Sequence, residues 1–388
     1  MRRDMIAAVR RGHSRRSVAR RHGVDLATVI RWVGRTVGQR LDRADLRDRP
    51  PGRRVAVNRT PEPVEDRILE VRGELQQSVL GEFGARAIQE ELLRQGEAAV
   101  PTIRTIGRIL ARRDAVHRGR RKRRPGPPPG WHLPAVGHGR AELDSVDVVE
   151  GLAIKAGPAF ELLTVVSLHG GVAGVYLSQP SYRAPHVLTA CLVHWQAHGC
   201  PDFAQFDNDS RFQGPHSHRN VLSRVMRLCL GLGVTPVFVP PHEFGLQATI
   251  ENFNGLWQRK VWQRFGFLSV AAVAEHSARY VAARNAQQAQ RRQGAPARRR
   301  IPADWQLDLQ QRPAGRIIFI RRTDSQGTAE LLGHRFPVDR HWLFRLVRCT
   351  VDLQLHRIDF HALSRRQPAC QPLLGQAFHE IPNRHFHE

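Results

Sequence analysis

The sequence predicts a multidomain chain: N-terminal all-α modules of helix-turn-helix type, a central α/β core with a mixed five-stranded sheet, and a C-terminal small β-barrel. Three observations predict it. The apolar pattern is helical up to about residue 116, alternates between strands and helices from about residue 136, and is strand-like alone after about residue 312. Basic stretches rich in Pro, Gly or Gln separate these regions. The charge follows the same division: residues 1–60 hold 17 Arg against 5 Asp, whereas residues 136–285 hold 12 Lys or Arg against 11 Asp or Glu.

A net charge of +25 calls for a polyanionic partner, most simply nucleic acid. The near-neutral middle keeps its carboxylates between basic flanks. The five cysteines are scattered without a CxxC pair, which excludes a zinc finger and a disulfide framework and fits a reducing compartment. No apolar run is long enough for a membrane span, and the Arg-rich start lacks the apolar segment of a signal peptide. No GxxxxGK[ST] motif supports ATP hydrolysis.

In chain order, residues 1–38 form the first module. Ser14 caps a helix, Gly23 ends it in a left-handed turn, and Asp25 caps a second helix running to about Gly34. Val18, Ala19, Val24, Val29, Ile30 and Val33 make the seam, and Thr28, Arg31 and Arg35 face outward for DNA. After a basic linker, residues 61–117 form a second helical unit, of helix-turn-helix or winged-helix type. There Thr102 caps a helix with Ile103, Ile106, Ile109 and Leu110 inward and Arg104 and Arg108 outward. The basic run containing Arg120, Arg121, Lys122 and Arg123 is a linker suited to tracking a phosphate backbone. Residues 136–285 give the order β-β-β-α-β-α-β-α, the last helix running from about Gln247 to Arg264 with Lys260 as a further DNA contact. Residues 286–312 read as a linker. Residues 312–367 hold five short strands with a hairpin around Gly333, hence the barrel, and a less ordered tail follows Pro368.

Three carboxylates stand out in the core. Asp207 ends the short strand Phe203–Phe206 in Asp207-Asn208-Asp209-Ser210-Arg211-Phe212. Glu251 opens a helix in Ile250-Glu251-Asn252-Phe253-Asn254-Gly255. Asp144 lies on the first strand in Glu142-Leu143-Asp144-Ser145-Val146. Carboxylate oxygens are the donors a hard divalent cation prefers. Asp147 competes with Asp144 for the first position, Glu243 with Glu251 for the third, and Asp209 is a further candidate ligand.

These three segments, in this order on this core, resemble the retroviral-integrase superfamily with its RNase H-like fold, and within it a bacterial insertion-sequence transposase. The resemblance implies a DNA transposase that binds terminal inverted repeats and performs metal-dependent strand cleavage and transfer. Asp144, Asp207 and Glu251 would hold two Mg²⁺ (or Mn²⁺) ions. It implies double-stranded DNA as partner, both element ends and target, a homo-oligomer on that DNA, and a nucleoid-associated place in the bacterial cytoplasm. The alternatives are a catalytically inactive integrase relative that binds DNA for regulation, and a nuclease that cuts without joining. The chain departs from the family pattern at Asp209, where relatives carry Gly, so a weakened tight turn is expected there.

Overall fold

The computed structural model describes residues 1–48, 60–116, 126–155, 157–215, 218–240, 243 and 245–382. The basic run with Arg120, Arg121, Lys122 and Arg123 lies outside them. The chain divides into two compact units, Met1–Asp66 and Arg67–Glu388.

The first unit is built on three helices, α1 (Arg2–Arg10), α2 (Arg15–His22) and α3 (Leu26–Arg35). The Ser14 side chain accepts from the Ser17 amide, Gly23 ends α2 at φ 63°, and Asp25 accepts from the Ala27 amide. Both caps and the turn are therefore those the sequence predicts. The seam differs by one residue. Ile30 is 46% exposed, and Trp32, at i+3 from the buried Val29, packs with Met5, Ile6 and Val18 instead. The guanidinium groups of Arg2 and Arg35 lie over the Trp32 ring at 4.4 and 4.5 Å.

α4 (Glu62–Gln77) spans the boundary between the units, and with α5 (Ala85–Arg94) and α6 (Ile103–Arg112) it precedes the sheet. Ile68, Val71, Ile88, Leu92, Ile106, Ile109 and Leu110 are buried, while Ile103, expected inward, is 41% exposed in the first turn of α6. A short turn of helix, α7 (Pro134–Gly137), leads into β1 (Leu143–Ala153), β2 (Ala159–Ser167) and β3 (Ala173–Ser178), an antiparallel meander. Then come α8 (Ala184–His198), β4 (Phe203–Phe206), α9 (Ser210–Gln213), α10 (Arg224–Gly231), β5 (Thr235–Phe238) and α11 (Ala248–Trp257). β4 runs parallel to β1 and β5 parallel to β4, so the mixed five-stranded sheet has the order β3-β2-β1-β4-β5. α11 continues as one π-helical turn, Gln258–Trp262. Beyond it lie α12 (Val270–Gln287) and α13 (Ala289–Gln293), neither among the expected elements.

The predicted C-terminal barrel is corrected. β6 (Arg316–Arg322), the hairpin β7 (Thr328–Leu331) and β8 (His334–Pro337), β9 (Leu346–Asp352) and β10 (Arg357–Ala362) fall where expected, but they do not close on themselves. β6 pairs in parallel with β5, so one nine-stranded sheet runs β11-β10-β9-β6-β5-β4-β1-β2-β3, with the hairpin a separate two-stranded sheet. Its outer strand β11 (Leu373–Phe378) lies in the segment expected to be less ordered. The physical reason is a shared core: Phe206, Phe238 and Phe319 on three successive strands stack at 5.8 and 5.4 Å. Residues 286–312 are correspondingly a packed strap rather than a free linker. Arg299 donates to the carbonyls of Leu232 and Gly233, and Trp305 and Leu307 cover the main core.

Side chains alternate across the central strands. Val146, Leu163 and Val165 face α8 and α10, whereas Val149, Leu162 and Val166 face α11 and α12. This alternation decides which acidic side chains can meet.

Candidate active site

Asp207 follows β4 directly, at the carboxyl end of a parallel strand. The β1–β4 register pairs Asp144 with Ala204 and Ser145 with Gln205. Carried two residues further, it sets Asp147, not Asp144, opposite Asp207. Asp147 points to the α11 side. There the Asn254 amide donates to its Oδ2 at 2.8 Å, and Thr164, its cross-strand partner on β2, donates to Asn254 Oδ1 at 2.8 Å. Burial, the Asp207 charge and, more weakly, the Glu251 charge raise the Asp147 carboxyl to about 6. Asp207 is also raised, first by burial and then by the charges of Asp209 and Glu150, against the Asp209 N–H that donates to its Oδ1.

Asp144 is elsewhere. Three residues away along a strand, it projects to the opposite face, where it is fully buried. Arg298 from the strap grips both its oxygens at 2.8 and 2.6 Å, and the Trp195 indole donates to Oδ2 at 3.0 Å. Burial alone would raise its carboxyl; the Arg298 charge and hydrogen bonds outweigh that and hold it below the usual range. The structure therefore sets Asp147 near enough to Asp207 and, more weakly, to Glu251 for their charges to act on it, and places Asp144 on the opposite face of the sheet. The pairing of Asp144 with Asp207 fails because the strand has a period of two.

Glu251 lies exposed in the first turn of α11, one turn before Asn254. Its competitor Glu243 is bound by Arg322 and, at 3.0 Å, by Arg365. Asp209 is in extended backbone at φ −67°, not a left-handed turn, so the expected weakening from a missing glycine does not arise. It caps α9 by accepting from the Arg211 amide and pairs with the Arg211 guanidinium, which also reaches Glu150 and Glu161. Asn208 accepts from Arg321 at 3.1 Å.

Among the described residues no three His, Cys, Asp or Glu side chains converge closely enough to hold a metal ion. The donor set nonetheless fits one. Asp147, Asp207 and Glu251 offer only hard oxygen donors, and the raised Asp147 and Asp207 record like-charge crowding and burial that a divalent cation would relieve.

Of the residues proposed for DNA, Arg31 is exposed on α3 and Arg104 and Arg108 on α6, with Thr28 half-exposed. Arg35 is partly engaged, over Trp32 and donating to the Arg47 carbonyl. Lys260 is corrected: its ammonium is spent on the Gly81 carbonyl and the Phe83 ring, 4.8 Å from the centroid, and burial lowers its pKa. Together with Arg264, which donates to the Ser78 carbonyl at 2.8 Å, it holds the loop before α5.

No protein-family model matches the chain, and no curated protein matches it. Solved structures do. The chain is similar to the HTLV-2 integrase catalytic core domain in complex with magnesium, at 15% identity over 35% of this chain and 81% of that one, with a TM-score of 0.27. It is similar to the BIV integrase catalytic core at 18% identity over 36% and 81%, with a TM-score of 0.29. A simian T-cell lymphotropic virus intasome, in complex with PP2A regulatory subunit B56 gamma, matches at 12% identity over 67% and 84%, with a TM-score of 0.32. No helix among the described residues is long and apolar enough to cross a membrane.

Proposed function

We propose that the chain is a divalent-metal-dependent polynucleotidyl transferase of the DNA transposase and integrase type, cutting and joining DNA at the ends of a mobile element. The observation that carries this reading is that Asp147, midway along β1, has its carboxyl raised by burial and by the charges of Asp207, just past the end of the adjacent parallel strand β4, and of Glu251, in the first turn of α11. Asp147 takes the first position in place of Asp144. These three residues would hold Mg²⁺ or Mn²⁺. When bound, such ions activate an attacking oxygen and stabilise a leaving one in an in-line phosphoryl displacement.

The chain's own residues supply orientation. Asn254 and Thr164 fix the Asp147 carboxylate, and the Asp209 N–H fixes Asp207. Asn254→Ala is expected to lower turnover by about 10–100-fold with little change in DNA affinity. Comparing single-turnover rate with equilibrium binding checks this, and an equal loss in both would sink it.

The net charge of +25 supplies the attraction to DNA. Arg31 and Arg108, exposed on their helices, are proposed as phosphate contacts. Each Arg→Ala change should weaken binding across sequences and reduce the salt slope by about 1. Salt titrations read by fluorescence anisotropy test it; an unchanged slope removes the residue from the interface.

The deciding assay incubates the full chain with DNA carrying the element's ends and Mg²⁺ or Mn²⁺. Nicking and joining products that disappear with Asp207→Asn are expected. A chain that binds these ends but yields neither product is a DNA-binding relative without chemistry. Asp209, which motivates that alternative in the sequence, serves as a helix cap and gives it no support.

A further inference from the structure

Four residues after Asp207, Arg211 forms a clamp that the chemistry proposed above does not use. Its guanidinium takes Asp209 by both oxygens, Nε to Oδ1 at 3.0 Å and Nη2 to Oδ2 at 2.7 Å. It also donates to Glu161 Oε2 on β2 at 3.2 Å and to Glu150 on β1. One cation thus holds three carboxylates, with its own side chain only 20% exposed. Glu161 is fixed in turn, since its Oε2 accepts from the Tyr182 amide at 2.8 Å.

The sheet is irregular at this point. Val149 pairs with Leu162, so an unbroken register would set Glu150 directly opposite Glu161, a destabilising like-charge pair. Instead the register slips between Val149 and Leu152, with Gly151 at φ 73°. The extra residue on β1 re-aims Glu150, and both glutamates meet Arg211. The strand that carries Asp147 is thereby tied to the loop that carries Asp207. The last link is Asp209, whose backbone N–H donates to Asp207 Oδ1 at 3.0 Å.

We propose that Arg211 is a positioning residue for the metal-holding carboxylates: acting through Asp209, it sets Asp207 in place against β1 and Asp147. The inference rests on the function proposed above and adds to it the residue that orders its ligands. Arg211 could act on a cation in two ways, with opposite signs. As a bare charge it would repel the metal, and removing it would tighten binding. As a clamp it orders the ligands in advance, and removing it weakens binding. Its three paired carboxylates offset its charge, so the ordering decides. The planar, five-donor guanidinium suits this role; the compact ammonium of Lys does not.

The test titrates the full chain with Mn²⁺ alone and follows the free ion by electron paramagnetic resonance. Asp207→Asn marks the part of the binding that belongs to the site. Arg211→Met is expected to raise the Mn²⁺ dissociation constant about 10–100-fold. Arg211→Lys, which keeps the charge and loses the fork, should raise it about fivefold or more, and it carries the test should Arg211→Met melt abnormally. Asp209→Ser keeps a capping hydroxyl for α9 but cannot hold the guanidinium. In that background Arg211→Met should add less than about threefold, because the link is already broken. Unchanged or tighter Mn²⁺ binding in the Arg211 variants, with the native site intact, overturns the positioning role and leaves the proposed function standing. Fully additive losses with Asp209→Ser overturn the route through Asp209. A native chain with no Asp207-dependent Mn²⁺ binding overturns both the positioning role and the function.

Discussion

Asp147→Asn is expected to abolish DNA cleavage and joining, by at least about 10³-fold, while making the metal-free protein more stable. The carboxyl's rise to about 6 from an ordinary 3.8 means that the folded state disfavours its charge. A group raised on folding stabilises the folded state only while it stays protonated, and that contribution is lost as pH climbs through about 6. At pH 7.5 the ionised Asp147 therefore opposes folding, by roughly 1–3 kcal/mol. Asparagine removes the charge and keeps the shape. A flip of the Asn254 amide, with the Thr164 hydroxyl turning to accept, keeps the network paired. A thermal melt without metal should shift upward by a few degrees, and added Mg²⁺ should no longer stabilise the variant as it does the native chain. Retained cleavage would return the first-carboxylate role to another residue. A lower melting temperature would show that Asp147 is held by attraction rather than strained by crowding.

How far the sequence reveals this site depends on which face each strand residue takes. The order of strands and helices from residue 136 to Glu251 is legible because turns, caps and periodicities agree, and Asp207 and Glu251 follow from it. The first carboxylate does not. Leu143-Asp144-Ser145-Val146-Asp147-Val148-Val149 is covered on both faces, so hydrophobic alternation, which normally sets the facing of a strand, is silent. Asp144 and Asp147, three residues apart on a strand, must face opposite ways, and only one can share the α11 side with Glu251. Choosing between them needs the β1–β4 register, a long-range property. The C-terminal strands fail for a related reason. Their lengths and turns are local, but whether they close into a barrel or join an existing edge is decided by Phe319 meeting Phe238 across the β5–β6 pairing. Arg298 lies in a stretch whose Gln, Arg and Pro content reads as linker, although it forms a buried ion pair with a strand of the core.

The complementary expectation falls on Asp144. Asp144→Asn leaves the Arg298 guanidinium, largely buried, without its anionic partner, and removal of one member of a buried pair costs about 3–5 kcal/mol. Asparagine retains one acceptor for Arg298 or Trp195, which places the loss toward the lower end. The pH dependence has the opposite sign to that of Asp147. A carboxyl held below its usual range contributes stability above its unfolded pKa near 3.8 and loses it only as pH falls through the lower folded value, so the native pair persists across the neutral range. Adding Arg298→Met to Asp144→Asn should recover part of the loss. Recovery stays incomplete because Arg298 also donates to the Gly199 carbonyl at 2.9 and 2.7 Å, and that acceptor is left unpaired. Denaturant melts of the two single variants and the double variant give the coupling directly. Where Asp144→Asn remains folded it should cleave within about tenfold of the native rate, since its side chain lies across the sheet from the reacting phosphate. A folded, inactive Asp144→Asn beside an active Asp147→Asn would reverse the assignment of the two aspartates. A melting curve unmoved by Asp144→Asn would show instead that the strap stays packed without the ion pair, through the Cys200–Arg299 β-bridge, the Arg298 bonds to Gly199 and the Arg299 bonds to Leu232 and Gly233.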